Sequence, residues 1–158
     1  MSWVRATLAW LGLLLLAACG GGLRLTQDDC GVPTSIRVVQ VDTLPEGRVG
    51  QTDRCAQGGT LVELRSDSLG GIYGIRLAAH ELAHAAGFSG HLGDPDCILY
   101  EVSFDLLPPP CPQELAYMQS VVGPLLVTDS VTSRPGLVQA AMDYWNQSLG
   151  RALFLAAP

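Results

Sequence analysis

Polar and apolar positions alternate roughly at Ser35–Asp42 (SIRVVQVD) and cleanly at Thr60–Arg65 (TLVELR). Both runs are rich in β-branched residues, which predicts two strands separated by the turn-rich segment LPEGRVGQTDRCAQGG. The period then changes. From Ile72 to Ala86 apolar residues cover most of a helical circumference, so a largely buried helix is predicted, ended at Gly87. The prolines at 108–110 read as a loop. Pro112–Val122 (PQELAYMQSVV) predicts a second helix, with proline in its first turn and Glu114 near the positive end of the dipole. Leu125–Thr128 is a short strand candidate. The third helix is the plainest: Ser133 can cap it, Pro135 falls in its first turn, and Leu137, Ala141, Tyr144, Trp145 and Leu149 form one stripe. Gly150 can close it in a left-handed conformation.

The chain ahead of this region carries no such pattern. Arg5 precedes an uncharged apolar run, Ala6–Ala18, shorter than the roughly 20 residues a bilayer span requires. It ends in Leu16-Ala17-Ala18-Cys19, which resembles a bacterial lipobox. The resemblance implies that residues 1–18 are a signal cut before Cys19, whose thiol is lipidated. The mature protein would then be anchored in the cell envelope on the extracytoplasmic side, with Gly20 resembling an outer-membrane address where the cell has one. Residues 19–34 read as a tether and residues 35–158 as one folded domain, long enough to bury a core.

Charge removes one class of partner. Nine arginines, no lysine and fifteen acids give a net charge of −6, with no basic stripe for a nucleic acid backbone. Four cysteines remain after Cys19, an even number in a compartment where disulfides persist. Three pairings are possible; short loops favour Cys30 with Cys55 and Cys97 with Cys111.

Every histidine lies in HELAHAAGFSGH, residues 80–91. His80 and His84, four apart on a predicted helix, project from one face about 6 Å apart along the axis and can converge on one ion. Glu81 stands beside them without being a ligand, as a general base requires. Gly87 lets the chain turn sharply and return His91 as a third ligand. Three nitrogens leave a fourth position open, the mark of catalytic rather than structural zinc. A structural site would need another ligand, for which Cys97 is the candidate if it is not paired. The bland alternative is a buried helix with incidental histidines, but shuffling three histidines reproduces these spacings only roughly twice in ten thousand tries.

HELAHAAGFSGH fits HExxHxxGxxH and so resembles the zinc signature of metzincin metalloproteases, in a context most similar to the matrixin branch. The resemblance implies Zn2+ on His80, His84 and His91, Glu81 as general base, and a peptide or protein substrate. It implies an α+β fold: a small twisted mixed β-sheet packed on the zinc-binding helix plus two further helices. Cys97-Ile98-Leu99-Tyr100 stands where the family has its methionine turn, with Leu99 in place of methionine and Tyr100 read as packing. Cys30-Gly31-Val32-Pro33 resembles the matrixin cysteine switch, but the switch arginine is missing and a disulfide is preferred.

The family's order is first strand, long helix, further strands, zinc helix, methionine turn and closing helix. Here SIRVVQVD takes the second strand's place, TLVELR that of the edge strand, and PQELAYMQSVV that of the closing helix. LLVTDS and the helix after it then resemble the missing first strand and long helix, so a circular permutation is expected within residues 125–154, with Gly123-Pro124 as the junction. The rivals are a truncated second copy or an unrelated appended helix. The function expected is a lipid-anchored, monomeric zinc endopeptidase in which the strand from Thr60 to Arg65 pairs with an extended peptide. The competing class is a surface lipoprotein that binds zinc and a protein partner without hydrolysis, for which Glu81 would have no purpose.

Overall fold

The computed structural model of the protein describes Cys30, residues 35–101 and residues 106–158. The expected signal, the lipidation site Cys19 and the Gly31–Pro33 stretch lie outside the described residues. The chain forms β1 (Ser35–Val41), β2 (Gly50–Asp53), β3 (Thr60–Arg65), α1 (Gly71–Ala85), α2 (Pro112–Ser120), β4 (Leu125–Ser130), α3 (Leu137–Leu149) and β5 (Phe154–Ala156). Among the described residues it is an α+β fold, with three α-helices and a mixed five-stranded sheet in the order β2-β3-β1-β4-β5. β1 runs parallel to β3 and β4, β4 parallel to β5, and β2 antiparallel to β3. No helix among the described residues is long and apolar enough to cross a membrane.

Alternation along the strands puts one side of the sheet into the core. Ile36 and Val38 of β1, Val62 and Leu64 of β3, and Leu125 and Val127 of β4 are all buried, with more accessible residues between them. Leu77 and Leu82 of α1 join them in one cluster with Val138, Ala141 and Trp145 of α3. The α1 residues Ala78, Ala79 and Ala83 are also buried, and such small side chains let a neighbouring helix approach closely. The Trp145 indole Nε1 donates to the Ala79 carbonyl at 2.8 Å, binding the late helix to the turn that precedes the first histidine.

The structure corrects three expectations. Thr60–Arg65 is not an edge strand, because β3 lies between β1 and β2; the antiparallel edge is β2, inside the segment read as turns. The third helix starts at Leu137, not near Ser133: Gly136 has φ +82, outside the helical region, so Pro135 stands before the helix. The Ser133 N–H donates instead to the Gln40 side chain at 3.0 Å. The expected strand from Leu125 is followed, after α3, by a strand with no expected counterpart, β5, whose Phe154 enters the core. Gly150 closes α3 at φ +63 as expected. Disulfides join Cys30 to Cys55 and Cys97 to Cys111, with Cα separations of 5.6 and 5.3 Å.

Candidate metal centre

The three histidines meet. α1 ends in a Schellman-type closure, in which the Gly87 N–H donates to the His84 carbonyl at 2.9 Å and the Phe88 N–H to the Ala83 carbonyl at 3.1 Å. Gly87 has φ +110, and a Cβ there would stand 2.6 Å from the Tyr117 hydroxyl, so conformation and space both require glycine. The turn brings His91 back, with its Nε2 at 3.2 Å from His80 Nε2, while His84 Nε2 lies 3.0 Å from the same atom.

The other ring nitrogens decide what those contacts mean. His80 Nδ1 lies 2.8 Å from the Ile98 carbonyl and His84 Nδ1 lies 2.8 Å from the Phe88 carbonyl. A carbonyl only accepts, so both imidazoles donate from Nδ1 and keep a lone pair on Nε2. Two lone pairs facing each other at 3.0 Å repel unless an electrophile is shared between them. Zinc–nitrogen bonds of about 2.0–2.1 Å at tetrahedral angles separate ligand nitrogens by about 3.3 Å. The His80, His84 and His91 donors, all within 4.8 Å of one another, therefore form a group that could hold a metal ion. Burial holds His80 down to about 3, reinforced by the neighbouring His84, against the opposing pull of the Ile98 carbonyl. Burial also lowers His84. Both rings are thus neutral at neutral pH, as ligation demands. Cys97, the candidate fourth ligand, is held in its disulfide.

A four-residue turn, Cys97–Tyr100, supports the rings. Its carbonyls accept from Arg76 (Cys97, 2.7 Å), His80 (Ile98, 2.8 Å) and the Leu92 N–H (Leu99, 2.8 Å). Leu99 is fully buried, and half-buried Tyr100 bridges to Leu92. Glu114 is one of the residues that sequence reasoning missed, Thr52 being another. Glu114 is fully buried, and it accepts from the Leu99 N–H at 2.6 Å and the Cys111 N–H at 2.7 Å, tying this turn to the start of α2. Its proximity to the helix start was readable; its reach to Leu99 was not.

Glu81 occupies a cleft of about 780 Å³ that also contains the three histidines and is walled by β2. The Thr52 hydroxyl lies 2.6 Å from Glu81 Oε2, and a Cβ on Gly50 would stand 2.6 Å from Oε1, so the edge strand closes directly over the carboxyl. Burial pushes Glu81 up to about 7, opposed by the Thr52 hydrogen bond and by Arg48. Comparison with protein-family models, with curated proteins and with solved structures finds no match to this chain.

Proposed function

We propose that the protein is an extracytoplasmic, lipid-anchored zinc endopeptidase of metzincin type, with His80, His84 and His91 as zinc ligands and Glu81 as general base. The observation that carries this reading is the convergence of lone-pair nitrogens on His80 and His84, oriented by the Ile98 and Phe88 carbonyls, in the same cleft as a buried carboxyl. Zinc bound there would supply Lewis acidity, bringing a water into its ionising range near neutral pH and stabilising negative charge that develops on a carbonyl oxygen. Glu81, in the same cleft as the three histidines, would take a proton from the attacking water and return it to the leaving amine. The peptide is expected to add to β2 rather than β3. The Arg65 N–H donates to the Val49 carbonyl, so by antiparallel alternation the backbone groups of Gly50 and Thr52 face away from β3, along the cleft.

The permuted order belongs to the same reading, with one correction. If β4 and α3 are the family's first strand and long helix, β5, which follows α3, takes the second strand's place and β1 the third. Residues 121–124 suffice to connect the end of α2 to the start of β4, as a junction between former termini requires. Zinc content measured together with cleavage of a broad peptide library tests the proposal. One zinc per chain with cleavage is expected; one zinc per chain and no cleavage would favour the binding lipoprotein instead.

A further inference from the structure

Strand β2 meets both oxygens of the carboxyl that serves as the proposed base. The Thr52 hydroxyl lies 2.6 Å from Glu81 Oε2 and 3.1 Å from the Glu81 main-chain carbonyl, so it is held against α1 at two points. It has one proton to donate, and the nearer oxygen, once ionised, is the stronger acceptor. Two residues earlier, on the same face of the strand, Gly50 lies against the other oxygen. A Cβ there would stand 2.6 Å from Oε1, 2.9 Å from Leu77 Cδ1 and 3.0 Å from Glu81 Cγ. Gly50 does not have a positive φ, so its backbone would accept alanine and only space requires glycine. Among the described residues the carboxyl's one hydrogen bond is the one to Thr52. Oε1 is thus the oxygen left for a reactant, on a residue only 6% exposed.

Resting on the endopeptidase reading, we propose that β2 positions the base: the Thr52 hydroxyl holds Oε2, and the missing side chain at Gly50 leaves Oε1 where it takes the proton of the attacking water. The Thr52 side chain, and the lack of one at Gly50, then act through Glu81 and not on the substrate. The strand works in two directions, with main-chain groups along the cleft for the peptide and inward positions against the carboxyl. The element that aligns the peptide thereby also aligns the base. Gly50→Ala would push Oε1 back by about 1 Å, and such a misplacement costs up to about 100-fold in rate. Losing the Thr52 hydrogen bond would cost about tenfold.

The test uses the purified, zinc-loaded protein, first with a peptide that the parent cleaves. Thr52→Val should lower kcat about tenfold with KM and zinc content unchanged, and Thr52→Ser should restore it. Gly50→Ala should lower kcat about 10- to 100-fold, again at unchanged zinc content. A parent-like kcat in either Thr52→Val or Gly50→Ala would overturn the inference, as would losses confined to KM. So would a Thr52→Ser loss equal to that of Thr52→Val, which would assign the effect to packing and not to the hydroxyl. A second arm labels the glutamate carboxyls with carbon-13 and reads them by NMR at fixed pH, whether or not any peptide is cut. The resonance that disappears in Glu81→Gln belongs to Glu81; it should shift in Thr52→Val and Gly50→Ala and return in Thr52→Ser. A Glu81 resonance unmoved by Thr52→Val would overturn the inference. Absence of cleavage by the parent, with those shifts intact, would overturn the endopeptidase reading and leave the hold of β2 on the carboxyl standing.

Discussion

Replacing Trp145 with alanine should remove a large part of the fold's stability. Trp145 is fully enclosed and is the largest of the fully buried side chains, and its Nε1 donates to the Ala79 carbonyl immediately before His80. Truncating a buried tryptophan to alanine costs about 3–5 kcal/mol through lost transfer energy and the cavity left behind. The lost hydrogen bond adds about 1 kcal/mol. Against the roughly 5–15 kcal/mol that holds a domain together, Trp145→Ala should be near unfolding, or unfolded where the total is small. Trp145→Phe keeps a ring and loses the hydrogen bond and part of the volume, so about 1–2 kcal/mol is expected. Urea titration of chelator-treated protein, followed by far-UV circular dichroism, reads both values, provided the slope stays constant across variants. A parent-like midpoint for Trp145→Ala would refute the claim that α3 closes the core behind α1, and with it the permuted reading.

Other consequences are open to measurement. Glu114→Gln turns one acceptor oxygen into a donor facing an N–H, so a loss of about 1–3 kcal/mol is expected, together with a 10- to 100-fold weaker zinc affinity as the turn that orients His80 loosens. Calorimetric zinc titration checks this, and unchanged affinity would separate Glu114 from the metal centre. The pH response of the metal-free protein has a definite sign. Glu81 is raised from 4.5 to about 7, so its contribution is complete below 4.5 and is lost as pH rises through about 7. His80 is lowered from 6.5 to about 3, so its contribution is present above 6.5 and is lost as pH falls towards 3. Between about pH 5 and about pH 8, chelated Glu81→Gln should therefore lose less melting temperature than chelated parent, and equal losses would contradict the buried-carboxyl argument.

The sequence was most legible where one periodicity dominated. The α1 helix, its glycine exit and the three converging histidines follow from spacing alone, because a helix and one positive-φ residue fix where the rings go. The disulfides followed from loop length. The edge strand was not legible: β2 reads GQTD, four residues without an apolar alternation, and its strand character comes from pairing with β3. That absence moved the edge to TLVELR, whose own alternation is equally consistent with an interior strand. β5 was missed because three residues after a turn carry little periodic signal and Leu125–Val127 supplies the ladder. Pro135 looked like a helix start until Gly136 took a left-handed conformation. The roles of Thr52 and Glu114 depend on contacts 29 and 15 residues away, which no local pattern encodes.

The central claim is that Glu81 is the base of a zinc-dependent peptidase. The most direct test is kcat/KM for a cleavable peptide, compared between parent and Glu81→Gln at matched zinc content. A loss of about 10²- to 10⁴-fold with zinc stoichiometry unchanged is expected. Cleavage by Glu81→Gln at the parent's rate would contradict the claim.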